Sequence, residues 1–149
     1  MARELKTKQV TPGLRDQVSA QGAEIHLKYG PQIGWNELGQ LLDDRTLIRY
    51  PCEIRFDAQP LLPGEFAHPL PRGPAPEDGY IIYIHPYFSN QLTSVPLLVL
   101  HQLALINYGD SATWDDAETF GSLALGLSKE EYYQALCNLS SQISGDDLM

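Results

Sequence analysis

Apolar residues recur with helical spacing near the start of the chain, and this pattern predicts a helix over residues 11–30. Thr11 suits the N-cap and Pro12 the first turn, and Gly30 can end the helix. Gly22 lowers the helix propensity in the middle of the segment. The predicted buried face consists of Leu14, Val18, Ile25 and Tyr29.

The pattern then changes from helix to strand. The segment "GWNELGQLLDD" predicts a short second helix with Asn36 as its cap. The following segment, "YPCEIRFDA", alternates between apolar and polar residues, as a half-buried strand does. Its predicted inward side consists of Cys52, Ile54 and Phe56.

A second strand is predicted in "DGYIIYIHPYF", where Pro86 stops the strand and His85 lies at its end. Residues 58–79 are rich in proline, which removes donors from a β-ladder, so they indicate a loop around a short edge strand, "EFAHPL". A polyproline ligand for a partner is the alternative, but the interrupting Gly, Phe and His residues favour a connecting loop.

The segment "VPLLVLHQLALINYGD" predicts the central helix of the molecule. Ser94 and Pro96 suit its start, and the helix runs to Asn107, with Gly109 placed to close it. Its residues are apolar on nearly every side, which is typical of a helix enclosed by other elements.

Two more helices are predicted after it. One follows Thr113 and ends at Gly126, and the next opens with a capping box in which Glu131 lies three residues after Ser128. Their predicted buried residues are Ala117, Phe120, Ala124 and Leu127 in the first and Tyr132, Leu136, Leu139 and Ile143 in the second. Gly145 and an acidic tail follow.

These elements predict an α+β fold: two N-terminal helices, a small sheet of about three strands, and three C-terminal helices of which the first is central and buried. At 149 residues the chain fits one domain, which we expect to span residues 10–145 after a frayed segment at residues 1–9.

Charge and composition narrow the function. The net charge is −9, and residues 101–149 carry eight acidic residues against the single Lys129. Such a surface repels phosphate, so we expect neither nucleic acid nor an anionic membrane as a partner. The chain shows no apolar run of membrane-spanning length, and two cysteines are too few for a disulfide framework. The segment "MARELKTKQ" lacks the apolar stretch of a signal peptide, so we expect none. We therefore expect a cytoplasmic protein with reduced thiols at Cys52 and Cys137.

Two segments resemble a known family. "LHQLALINYGD" followed by "WDDAETFGSLALG" resembles the HExxH and E-x-x-A-[DN]-x-x-[AG] segments of small zincin-like domains such as the IrrE/ImmA-type metallopeptidases, over about residues 80–127. The resemblance implies a minimal zincin-like fold. In such zinc hydrolases two His one helical turn apart bind the metal, the intervening Glu is the general base, and a later helix supplies a third ligand.

This chain departs from the pattern at the positions that carry the chemistry. His101 keeps the first ligand, but Gln102 stands where the catalytic Glu belongs and Leu105 where the second His belongs. Trp114 occupies the position of the ligand Glu, and the interval between the segments is shorter than usual. The matches that remain in the second segment are Ala117, Glu118 and Gly121. The resemblance thus implies a degenerate zincin-like domain with no catalytic residues, metal or cofactor.

Two hypotheses of function follow. The first is a non-catalytic domain that acts through protein contacts, with Trp35, Trp114 and Tyr87 as candidate contact residues unless they are buried. In that case we expect His101 to be a core histidine, hydrogen-bonded to backbone or to Glu118 or Asp116. The second is a metal-dependent hydrolase with a rebuilt site. Its expected ligands, around zinc or another divalent ion, are His85, His101, and Glu118 or Asp110.

Overall fold

The computed structural model describes the backbone of residues 2–147 and the side chains of residues 13–109 and 111–143. Within this part the chain forms five α-helices and one three-stranded sheet. The helices are α1 (Ala2–Tyr29), α2 (Trp35–Leu42), α3 (Val95–Tyr108), α4 (Trp114–Leu125) and α5 (Lys129–Asp147), and the strands are β1 (Cys52–Phe56), β2 (Ala67–Pro71) and β3 (Tyr80–Ile84). The predicted α+β class and the order of elements are confirmed.

The sheet is mixed, with strand order β1-β3-β2. Strand β3 lies in the centre, parallel to β1 and antiparallel to β2. The register pairs Cys52 with Tyr80 on one side of β3 and Ala67 with Ile84 on the other. Strand β2 therefore forms an edge, as its prolines predict.

Helix α3 is the enclosed centre of the fold, as predicted. Eleven of its residues are buried, and they lie on every side of the helix. Its neighbours include the sheet, α4 and α5. The fully buried Tyr132 of α5 donates a hydrogen bond of 2.6 Å from its hydroxyl to the backbone oxygen of Leu97. This bond ties the last helix to the central one.

Gly22 lies where α1 crosses α4. A Cβ atom at this position would lie 2.8 Å from the backbone oxygen of Phe120 and 3.0 Å from the Cβ atom of Leu123. His26 adds a contact of 3.1 Å between its Nδ1 atom and the backbone oxygen of Ala124. The glycine that weakens the helix prediction thus permits the close approach of two helices.

Two helix starts differ from the prediction. Helix α1 begins at Ala2 and includes Pro12, so Thr11 is not its N-cap; a proline inside a helix removes one backbone hydrogen bond, yet here the helix continues on both sides. Gly34, and not Asn36, is the N-cap of α2, because the Glu37 carboxylate accepts a hydrogen bond of 2.9 Å from the Gly34 N–H.

The remaining caps agree with the prediction. Gly109 and Gly126, both with positive φ, follow α3 and α4. Ser128 and Glu131 form the expected capping box, with bonds of 2.8 and 3.0 Å. Helix α5 extends to Asp147, two residues past the predicted domain boundary, with Gly145 inside it. Fraying of residues 1–9 stays a prediction, since their side chains lie outside the described residues.

Both cysteines are free thiols. Cys52 is half-buried, and this burial raises the pKa of its thiol to about 11, whereas Cys137 is exposed on α5. Over the described residues, no helix combines the length and the apolar character that crossing a bilayer requires.

Candidate functional site

A cavity of about 270 Å³ opens between the edge strand β2 and the helices α3, α4 and α5. We call it the Trp114 pocket. Its walls are formed by Gly64, Glu65, Phe66, Ala67, His68, Gln102, Leu105, Trp114, Glu118, Tyr133, Leu136, Cys137 and Ser140. The central helix, the next helix and the sheet edge thus meet at one depression in the surface.

His101 lies beneath this pocket in the core. Its side chain has no exposed surface, and its ring centroid lies 4.2 Å from that of Trp114. Phe66 packs against it edge to face, with ring centroids 6.3 Å apart. Trp114, in contrast, is 55% exposed and lines the pocket. The indole of Trp114 therefore contacts both His101 and the pocket.

The predicted hydrogen bond to His101 is absent. Neither its Nδ1 nor its Nε2 atom has a hydrogen-bond partner within the described part of the chain. The Asp116 carboxylate instead accepts from the Thr113 N–H at 2.9 Å, and Glu118 accepts from Nε1 of Trp114 at 3.0 Å. Burial lowers the pKa of His101 to about 4, because the apolar surroundings disfavour the imidazolium. His101 is therefore a neutral, unpartnered core histidine at pH 7.

The polar groups of the pocket are acidic or neutral. Glu65 and Glu118 contribute carboxylates, and no Lys or Arg is among the described residues that line the pocket. His68 lies 3.5 Å from the Glu65 carboxylate. The amide of Gln102, on the pocket wall, makes no hydrogen bond with any described residue, so it can both donate to and accept from a ligand.

The rebuilt metal site is not formed by the described residues. No group of three or more His, Cys, Asp or Glu side chains among them is placed to hold a metal ion, so His85, His101 and Glu118 are not brought together as ligands. His85 instead caps the turn after β3, where its Nδ1 atom accepts from the Tyr87 N–H at 3.1 Å. The side chain of Asp110, the fourth predicted ligand, lies outside the described residues.

The free edge of β2 offers few donors to an added strand. The Phe66 carbonyl accepts from the His85 N–H, and the Arg72 N–H donates to Gly79, each at 2.9 Å, so the even-numbered residues of this segment face β3. The odd-numbered residues, Ala67, Pro69 and Pro71, then point their backbone groups outward. Two of these three have no N–H, which blocks most of a β-ladder on this edge.

The candidate contact aromatics are exposed, as the first hypothesis requires. Trp35, Tyr87 and Trp114 are all exposed, but of the three only Trp114 lines the pocket. Sequence reasoning missed Tyr133 and Cys137 as pocket residues. They flank the buried stripe of α5, directly after Tyr132 and Leu136, and nothing in the local pattern distinguishes them from solvated positions.

Comparison with known proteins matches the chain to no family model, no curated protein and no solved structure. The likeness to zincin-like domains therefore rests on the residues of the two segments. The structure adds where those residues lie in relation to one another.

Proposed function

We propose that this protein is a degenerate zincin-like domain that has lost metal and hydrolytic chemistry and that binds a segment of another protein in the Trp114 pocket. The observation that carries the proposal is that three of the four positions where the resemblance expects catalytic or ligand groups line this pocket, and that the fourth, His101, packs against Trp114. The cytoplasmic location expected from the sequence remains a prediction.

Gln102, Leu105 and Trp114 supply this convergence. The resemblance assigns them the places of the general base, the second His and the third ligand, and all three line one pocket although they lie on two helices. The Trp114 ring also packs directly on His101, where a third ligand has to face the first one. An arrangement of this kind is expected if the chain descends from a zinc-binding fold.

The residues present do not fit zinc. His101 supplies one imidazole, whereas Leu105 has no ligand atom and the indole of Trp114 is only a hydrogen-bond donor. The neutral amide of Gln102 cannot take a proton from a metal-bound water. No hydrolytic step can therefore be derived for this pocket, and binding is the function that its geometry supports.

The chemistry of the walls indicates the kind of segment that fits. Trp114 and Tyr133 present large exposed aromatic surfaces, which are frequent anchors of protein interfaces. Glu65 and Glu118 attract a cation, and the amide of Gln102, which has no hydrogen-bond partner among the described residues, matches the polar groups of a peptide bond. The proposed ligand is a peptide segment with a large apolar side chain next to Lys or Arg, docked without strand addition to β2.

Selection from a library of random peptides displayed on phage tests this binding. We expect enrichment of peptides that place Lys or Arg beside an apolar residue, and at least about tenfold weaker binding of these peptides to Trp114→Ala. Trp35→Ala is the matched control, because it removes an exposed tryptophan that does not line the pocket. No enrichment, or equal binding to the Trp114→Ala variant, would contradict the proposal.

The descent from a zinc site is tested by restoring it. The triple variant Gln102→Glu, Leu105→His, Trp114→Glu supplies the base and two ligands beside His101. We expect zinc to raise the melting temperature, or the refolding yield, of this variant and not of the wild type. Adding His101→Ala to the triple variant should abolish the effect. If the triple variant folds and zinc changes neither its melting temperature nor its refolding yield, the resemblance is coincidental.

A further inference from the structure

A second cleft lies at the C-terminal end of α3 and is separate from the Trp114 pocket. It has a volume of about 410 Å³ and is bounded by α1, by the loop after α2 and by the C-terminus of α3. Arg45 and Arg49 of the loop line it together with Gln17 and Gln21 of α1. We call it the arginine cleft. Its lining includes no Asp or Glu among the described residues, in a chain whose net charge is −9.

The cationic side chains of the cleft differ from most others in the chain. Salt bridges hold Lys28 to Asp44, Arg55 and Arg72 to Glu53, and Lys129 to Asp115. Of the Lys and Arg side chains that the structure describes, the other three, Arg15, Arg45 and Arg49, have no carboxylate partner among the described residues. Two of these three line the same cleft.

Each of the two guanidinium groups has a structural bond, but most of its capacity is unused. Nη1 of Arg45 donates to the backbone oxygen of Leu42 at 2.9 Å, near the end of α2. Nη1 of Arg49 donates to the backbone oxygen of Asn107 at 3.2 Å, near the end of α3. A guanidinium carries five N–H donors, so most donors of both groups have no partner among the described residues. Capping two helices does not explain why two cations share one cleft.

Buried polar contacts hold this arrangement in place. The Asn107 side chain accepts a bond of 2.9 Å from the Arg49 N–H and donates one of 2.9 Å to the backbone oxygen of Leu47. Burial raises the pKa of Tyr108 to about 12, so its hydroxyl stays neutral and donates to the side-chain oxygen of Gln21. These bonds hold the loop and α1 against the end of α3. The two guanidinium groups supply the cleft with charged N–H donors.

We propose that the arginine cleft binds a small organic anion through a carboxylate or phosphate group held between Arg45 and Arg49. Guanidinium groups bind both oxyanions through paired N–H donors, and these charge-assisted bonds are stronger than neutral ones. A bound anion also supplies a charged partner to two cations that have no carboxylate partner among the described residues. The cleft and the Trp114 pocket share no lining residue, so this proposal does not depend on the proposed function.

Thermal melts and titration calorimetry test the cleft with two probes, inorganic phosphate and citrate, each compared with chloride at equal ionic strength. We expect a saturable rise in melting temperature with at least one probe. Arg45→Gln should weaken binding by about tenfold or more, since it removes one of two charged partners. Arg15→Gln is the control, because Arg15 also lacks a carboxylate partner but lies outside the cleft.

The two probes distinguish the sources of the oxyanion. Tighter binding of phosphate assigns the cleft to a phosphate ester, and tighter binding of citrate assigns it to a carboxylic acid. Arg49→Lys keeps the charge but loses the fork of donors, so it should also weaken binding in the folded protein. Absence of saturable binding by either probe, or equal weakening by Arg15→Gln and Arg45→Gln, would overturn the proposal.

Discussion

Helix α3 contains two buried polar side chains in opposite situations. Asn107 uses both ends of its amide, with the Arg49 N–H on one side and the Leu47 carbonyl on the other. His101 is equally enclosed, yet neither of its nitrogens has a partner in the described chain. A buried polar group is costly unless it is hydrogen-bonded. Asn107 thus stabilises the fold, whereas burial of the His101 imidazole without a described partner lowers its stability.

The difference separates a residue that the fold explains from one that it does not. The loop of residues 45–49 lies against α3 through the amide of Asn107, so the fold explains this residue. Nothing in the packing explains an imidazole at position 101, where apolar rings surround it. The descent from a zinc ligand proposed above would explain it. Four measurements test this comparison of Asn107 with His101.

The largest effect is expected for Asn107→Leu. The change removes one buried and one partly buried hydrogen bond and leaves the Arg49 N–H and the Leu47 carbonyl without these partners. We expect the free energy of unfolding to fall by about 2 to 4 kcal/mol in urea melts. A loss below about 1 kcal/mol would mean that water replaces the amide, and it would remove the contrast with His101.

The second measurement is the pH dependence of stability. His101 has a pKa of about 4 in the folded chain and about 6.5 when unfolded, so between these values the unfolded chain binds the extra proton. Stability from this group is therefore complete above pH 6.5 and falls as the pH drops towards 4. The expected loss is about 3 kcal/mol, at 1.36 kcal/mol per unit of pKa.

Comparison with His101→Leu isolates this contribution. The wild type and the variant share their other titratable groups, so the difference between their pH profiles belongs to His101. Parallel profiles between pH 7 and pH 4 would show that His101 is hydrated or paired in solution, contrary to the structure.

The same variant gives the third, smaller prediction. At pH 7, His101→Leu replaces two unpartnered nitrogens by an apolar side chain of similar size. We expect it to leave stability unchanged or to raise it by about 1 kcal/mol. Leu100→Ala, on the same helix, is the reference for a damaged core and should cost about 2 to 5 kcal/mol. A similar loss in His101→Leu would assign the imidazole a structural bond.

The fold could largely be predicted because its signals are local. The apolar run of α3, the capping box at Ser128 and the glycines at positions 109 and 126 each act within one or two helical turns. The prediction of Asn36 as the N-cap of α2 is wrong, because the Glu37 carboxylate accepts from the Gly34 N–H and thereby places the cap at Gly34.

The site was less predictable, since it depends on which side chains already have partners. Asp116 and Glu118 were expected to pair with His101, but each has a nearer partner on its own helix turn. Thr113, three residues before Asp116, and Trp114, four residues before Glu118, satisfy the two carboxylates locally. The arginine cleft joins three distant segments, and its arginines gave no signal in the sequence pattern.

Substitutions at Trp114 are expected to have the smallest effect on stability and the clearest effect on the pKa of His101. Its indole is largely exposed, and the bond from Nε1 to Glu118 is a surface contact, so Trp114→Phe should change the free energy of unfolding by less than about 0.5 kcal/mol. Phenylalanine still covers His101. Trp114→Ala removes the cover, which admits water to the imidazole and makes the imidazolium less unfavourable.

Proton NMR titration of the His101 ring measures its pKa directly. In the wild type and in Trp114→Phe we expect its pKa to stay near 4, and in Trp114→Ala to rise towards 6.5. Trp35→Ala should leave it unchanged, because Trp35 packs beside Phe56 and not on His101. If the Trp114→Ala variant keeps the low pKa, the rest of the core buries His101 and Trp114 is not its cover. The contrast with Asn107 would then remain, but the Trp114 pocket would give water no access to His101.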